Sequence, residues 1–206
     1  MKPADNKIYL ASKSPRRREL LRQIGVEFEL MLLRGEGPRG PDVSEDVLPN
    51  EKAEDYVVRV TREKAEQAWK IMLARRLPPR PVLAADTTVV IDGRILGKPA
   101  DEAEAMDMLR ALSGRTHQVI TSIALHRDGA TFQQTQSSDV TLSVLSEETM
   151  RAYCATSEPY DKAGGYGIQG IAAVFIKHIA GSYTGIMGLP LHETAQLLNQ
   201  AGIPTL

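Results

Sequence analysis

The sequence predicts an α/β protein with a mixed sheet, and three observations carry that reading. A short apolar run, Ile8 to Ser12, passes through a tight turn into a helical pattern that begins at Pro15, the form of a strand–turn–helix. In the middle, the period changes: Val82 to Ile91, "VLAADTTVVI", is dense in β-branched residues and ends in Asp92-Gly93, a type I′ hairpin signal before Arg94 to Leu96. Helical stripes then alternate with further strand-like segments, and helices interleaved with hairpins and crossovers imply a sheet of mixed direction.

Each element has its own signal. Pro15 to Ile24 places leucines at 20 and 21 and isoleucine at 24, with Ser14 as N-cap, Pro15 at the first helical position and Gly25 at the exit. Phe28 to Leu33 reads as a strand. Arg34 to Asn50, rich in Gly, Pro, Asp and Glu, reads as a long loop of the kind that often serves function. From Glu51 to Arg76, Tyr56, Val57, Val60, Ala68, Ile71 and Met72 form one apolar stripe. Asp101 to Leu112 is a helix in which Asp101 and Glu104 are spaced as a capping box, with Gly114 at its end. Gln118 to Leu125 and Thr131 to Leu145 form two antiparallel strands around Asp128-Gly129. Ser146 to Cys154 is a helix, Ala172 to Ile179 a strand after a loop punctuated by Gly164, Gly165, Gly167 and Gly170, and Pro190 to Gln200 a closing helix.

Global features exclude several classes. The 206 residues suffice for one core, or for two lobes sharing one. Basic and acidic residues number 25 and 26, with no long block of one sign, so the footprint of a stable nucleic-acid binder is missing. Cys154 is the only cysteine, which rules out an internal disulfide framework and suits a reducing, cytoplasmic setting. No apolar run approaches the roughly 20 residues of a membrane span, and the start has no secretory apolar region.

Five features invite a chemical reading. Arg16, Arg17 and Arg18 stand where a helix N-terminus disfavours cations; they are a solvated turn, or else half of a site whose other half is an anion. With free helix N–H groups, serine hydroxyls and guanidinium forks, a polyphosphate would fit there. Asp86 lies inside an apolar strand, as a turn cap or as a carboxylate placed to hold a cation. Lys64 sits on an apolar stripe and either snorkels to water or serves the site. Lys98, before Pro99, and Glu36, in the long loop, have plain surface readings as well. Together, these are the parts of a nucleotide polyphosphate site. There is no Walker A pattern, and "GGYGIQG" is not a dinucleotide fingerprint after a strand.

Seven motifs in order, "LASKSPRR", "REKA", "AADT", "GKPAD", "LSGRTHQV", "DKAGGYGIQG" and "GLPL", resemble the Maf family of nucleoside triphosphate pyrophosphatases, from residue 10 to residue 191. "GYGIQG" is similar to the subgroup acting on dTTP and UTP, the alternatives being 7-methyl-GTP or other purine triphosphates, or a non-catalytic regulator of septum formation. The resemblance implies an elongated fold like that of inosine triphosphate pyrophosphatase, two lobes around a cleft and, in many members, a homodimer. It implies Mg²⁺- or Mn²⁺-dependent hydrolysis to the monophosphate and pyrophosphate. Carried onto matching positions, Asp86 is the catalytic carboxylate and a metal ligand, with Lys64 and Lys98 beside it. Arg16, Thr87 and Gln169 set substrate preference, and Ser12, Arg17 and Lys162 line the pocket. Glu36 is the second metal carboxylate, with Glu45 as the alternative because the loop departs from the family's spacing. Lys13 stands where the family has a small residue and is expected at the turn surface. Arg16 and Arg17 are expected to point into the cleft and Arg18 into solvent.

Overall fold

The computed structural model describes residues 6–35, 37–38 and 40–205. Its seven-stranded sheet runs in the order β2 (Phe28–Leu30), β1 (Ile8–Leu10), β3 (Val82–Ile91), β5 (Thr116–Arg127), β6 (Ala130–Leu142) and β7 (Ile176–Ala180), and β4 (Arg94–Leu96) pairs with β3. β1 is parallel to both β2 and β3, and every other pairing is antiparallel, so the sheet is mixed as expected. The two hairpin turns match their sequence signals. Asp92 and Gly93 both have positive φ (51° and 75°), as do Asp128 and Gly129 (51° and 80°), the conformation a type I′ turn requires.

Alternation along β3 decides what each of its residues can meet. Val82 and Ala84 pack against Ala65, Ala68 and Met72 of the long helix α2 (Ala53–Ala74). Leu83 and Ala85 face the other way, toward Leu20 and Leu21 of α1 (Pro15–Gln23) and Leu197 and Leu198 of the closing helix, Leu191–Gln200. By the same parity, Asp86 points to the α2 face and Thr87 to the α1 face. β3 is therefore buried on both sides, which explains its near-continuous apolar run. Farther along, Val89 and Ile91 join Leu109 and Leu112 of α3 (Glu102–Leu112) and Met150 and Tyr153 of α4 (Glu147–Cys154) in a separate core cluster.

Local capping follows the sequence with one variation. Asp101 Oδ1 accepts from Glu104 N at 2.9 Å, while the Glu104 carboxylate reaches back to Ala100 N (2.8 Å). The capping box thus closes one residue early.

Several segments differ from the sequence reading. The strand expected from Ala172 begins only at Ile176, because Ile171–Phe175 forms a 3₁₀ turn whose first N–H groups are held by the Glu158 carboxylate. A short helix, α5 (Tyr183–Ile186), was not expected. Ser182 caps it by accepting from Gly185 N at 3.0 Å. The closing helix is accordingly α6. The strand from Phe28 loses its ladder after Leu30, since its partner β1 ends at Leu10.

Candidate active site

The turn between β1 and α1 forms as the sequence requires. Ser14 Oγ accepts from Arg17 N (3.4 Å), and Ser12 Oγ accepts from Ser14 N (3.2 Å). The three arginines then part company. Arg17 donates from Nε to Gly188 O (2.7 Å), from Nη1 to Ala85 O (2.7 Å) and Ser12 Oγ (3.3 Å), and from Nη2 to Thr87 Oγ1 (3.1 Å). Its guanidinium thus ties α1 to β3 and to the segment after α5, leaving a single N–H of Nη2 uncommitted. Desolvation lowers the Arg17 pKa, against the opposing pull of Asp86 and Glu45. Arg16 makes no hydrogen bond or ion pair with the described residues, although its field reaches Asp161. Arg18 is half-buried and its side chain has no such bond either; Lys13 is exposed.

Thr87 extends the Arg17 network inward. Its Oγ1 lies 2.9 Å from Thr121 Oγ1, and Thr121 donates to Gly185 O at 2.8 Å. With the Thr121 proton spent on that carbonyl, Thr87 must donate to Thr121 while accepting from Arg17. Gly188, at φ 107°, closes the arrangement: a Cβ there would lie 3.4 Å from both Arg17 Nε and Thr87 Oγ1.

On the opposite face of β3, Lys64 does not snorkel to water. Its ammonium lies 2.6 Å from Asp86 Oδ1 and 2.9 Å from Glu45 Oε1. The loop carboxylate brought to Asp86 is therefore Glu45; Glu36 lies outside the described residues. Burial pushes the Glu45 carboxyl up, but Lys64, Lys98 and Arg17 outweigh it and hold it below the ordinary value. The Glu45 segment is pinned by α2: Tyr56 donates its hydroxyl to Glu45 O (3.1 Å), and Arg59 Nη2 donates to Asp46 O (2.8 Å) while pairing with Glu51.

The third group surrounds the 166–170 loop. A Cβ on Gly167 would lie 2.6 Å from Lys162 Cε and 3.6 Å from Arg16 Nη2, so Arg16 and Lys162 both approach this backbone. The Lys162 ammonium donates to Glu158 O (2.7 Å) and pairs with Asp161. Gln169 and Lys98 are exposed. Ser12, Arg17, Thr87, Asp86, Lys64 and Glu45 are therefore linked through β3, Arg16 and Lys162 meet at Gly167, and Lys98 reaches the first group only through its field on Glu45.

Among the described residues, no three His, Cys, Asp or Glu side chains cluster so as to hold a metal ion. The donor chemistry still fits Mg²⁺, which binds through one or two carboxylates together with waters and substrate phosphates. Asp86 and Glu45 supply two such carboxylates on one ammonium. The sequence reading missed Tyr56, Arg59, Thr121, Gly188 and Glu158. Only Gly188, inside "GLPL", carried a local signal.

The profile of the Maf-like protein family matches residues 7–201. The chain belongs to the Maf family. It is 54% identical over 206 residues to a dTTP/UTP pyrophosphatase of Aromatoleum aromaticum, covering 99% of this chain and 100% of the relative. Proteins of the same name from Nitrosomonas europaea (52% identical; 98% of this chain, 97% of the relative) and Chromobacterium violaceum (51%; 98% of each) are also similar. Among solved structures, the Staphylococcus aureus Ham1 protein aligns over 66% of this chain and 71% of that one, at 19% identity and a TM-score of 0.44.

Proposed function

We propose that this Maf-family chain is a nucleoside triphosphate pyrophosphatase that hydrolyses dTTP and UTP to the monophosphate and pyrophosphate. The observation that carries the reading is the Asp86–Lys64–Glu45 cluster, whose β3 residue Asp86 follows directly on Ala85, the carbonyl that Arg17 of α1 holds. Cleaving a phosphoanhydride demands neutralisation of a polyanionic leaving group and an oriented water, both electrostatic tasks.

The residues divide these tasks. Lys64 fixes Asp86 by Oδ1, so Oδ2 is the oxygen that takes the proton of the attacking water. Ser12 Oγ accepts both of its hydrogen bonds, which leaves its own proton to donate to a phosphate oxygen. Arg16, Lys98, Lys162 and the α1 N-terminus supply positive charge for the phosphates. A divalent cation held by Asp86 and Glu45 would supply further charge neutralisation there. Gln169 offers a donor and an acceptor to a pyrimidine edge. Thr87 acts on preference through its bonds to Arg17 and Thr121.

No helix of the described residues is long and apolar enough to cross a membrane. A cytoplasmic setting belongs to the proposal, supported by the nucleotide substrate and the buried, unpaired Cys154. The test is a panel of nucleoside triphosphates with Mg²⁺ or Mn²⁺, read as pyrophosphate release. Release from dTTP and UTP, abolished by a chelator and restored by the metal, is expected. No release from any triphosphate overturns the enzyme, and a preference for purines or 7-methyl-GTP reassigns the subgroup.

A further inference from the structure

We propose that Glu158 is a specificity-determining positioning residue, which holds the 167–170 loop in the one shape that lets Gln169 read a pyrimidine. The proposal rests on the functional reading above, in which Gln169 faces the base. Glu158 touches no substrate in this scheme; it acts through the backbone that carries Gln169.

Glu158 gathers four hydrogen bonds beside the loop. Glu158 Oε2 accepts from Ile171 N (2.6 Å), and Oε1 accepts from Ala172 N (3.1 Å) and from the Tyr153 hydroxyl (3.0 Å). Its own carbonyl accepts from Lys162 Nζ at 2.7 Å. Charge-assisted bonds of this kind are the stronger ones, and here they fix the residues immediately after the loop. Burial raises the Glu158 carboxyl pKa, but these donors and Lys162 outweigh it, so the carboxylate remains ionised at neutral pH. The loop is anchored at its other end as well, where the Tyr166 hydroxyl lies 2.6 Å from the buried His117 Nε2. Between the two anchors stand Gly167, Ile168, Gln169 and Gly170.

Gly170 records the same constraint from the backbone side. Its φ, −109°, is negative, so no left-handed conformation requires glycine there. Space does: a Cβ at Gly170 would fall on the Glu158 carboxylate. Gly167 is restricted in the same way by Lys162, whose Cε would lie 2.6 Å from an added Cβ. The glycines that punctuate this loop leave room for the side chains that hold it.

The experiment compares Glu158→Gln, Glu158→Ala, Gly170→Ala and the Glu158→Ala/Gly170→Ala double variant, measuring kcat and KM for dTTP and GTP together with Tm. In Glu158→Gln, an amide N–H₂ must face either the Ile171 N–H or the donors on the other oxygen. The dTTP-over-GTP ratio of kcat/KM should therefore fall about tenfold or more, chiefly through KM for dTTP. A merely structural loss would lower both substrates alike. Gly170→Ala should reproduce the loss in the wild-type background and add nothing to Glu158→Ala, because the carboxylate it collides with is gone. An active wild type whose ratio is unchanged in Glu158→Gln, or a harmless Gly170→Ala, overturns the proposal alone. A wild type that releases no pyrophosphate from dTTP overturns the functional reading, and this inference with it.

Discussion

Replacing Arg17 by alanine separates two roles that the sequence alone could not. If the guanidinium were chiefly a phosphate ligand, its loss would weaken substrate binding and leave the free protein's stability intact. The structure instead commits it to Gly188 O and Ala85 O at 2.7 Å each, with weaker bonds to Thr87 and Ser12. A hydrogen bond to a charged group contributes about 1.5–3 kcal/mol, and the half-buried site lets water replace part of it, so the low end for two carbonyls gives about 3 kcal/mol. For a chain of this size, each kcal/mol moves Tm by about 2–4 °C, so Arg17→Ala should melt about 6–12 °C below the wild type. Its kcat should fall too, because Ala85 O immediately precedes Asp86 and the clamp fixes that strand. Arg17→Lys, with one compact ammonium instead of a fork, should recover only part of either loss. Thermal denaturation paired with dTTP kinetics decides the matter. An unchanged Tm with a raised KM would refute the clamp and restore Arg17 to the phosphates.

Asp86→Asn should fold normally, since an amide still accepts from Lys64, yet lose about 10²–10⁴-fold in kcat, the usual contribution of a general base; near-normal turnover removes Asp86 from that role. Arg16→Ala should raise KM for dTTP, whereas Arg18→Ala should leave kinetics nearly unchanged, and equal losses from the two would show this division to be wrong. His117 is buried, and desolvation pulls its pKa down to about 4. The unfolded chain takes up that proton first, so stability present above pH about 6.5 is lost as pH falls toward about 4, amounting to about 2 kcal/mol by pH 5. Denaturant midpoints between pH 7.5 and 5 should therefore fall in the wild type and much less in His117→Gln; equal slopes would remove His117 as the cause.

What could be read in advance, and what could not, follows the range of the interactions. Ser14, Pro15, the Asp92-Gly93 turn and the Asp101 cap are settled by atoms within a few residues, and each forms where the sequence places it. The roles within "PRRR" depend on neighbours far along the chain. Successive helical residues differ in direction by about 100°, and which of the three meets Ala85 and Gly188 is decided only when β3 and the segment after α5 are in place. Lys64 shows the same limit. Its position on an apolar stripe fits snorkelling as well as pairing until the parity of β3 brings Asp86 to that face.

The 3₁₀ turn at Ile171–Phe175 is the sharper case, because there a local pattern pointed the wrong way. "IAAVFIKHIA" is an apolar run that periodicity cannot assign on its own. A carboxylate 13 residues upstream takes the first two N–H groups of that run, and pairing starts only at Ile176, beyond its reach. The same side chain that defeats the strand reading is the one that shapes the 167–170 loop. The misread segment and the specificity proposal therefore share one physical cause. Glu158→Gln should accordingly shift both observables together: weaker amide-exchange protection at Ile171 and Ala172 alongside the narrowed dTTP-over-GTP ratio. Protection lost without a change in preference would show that the turn shapes the fold and not the base site.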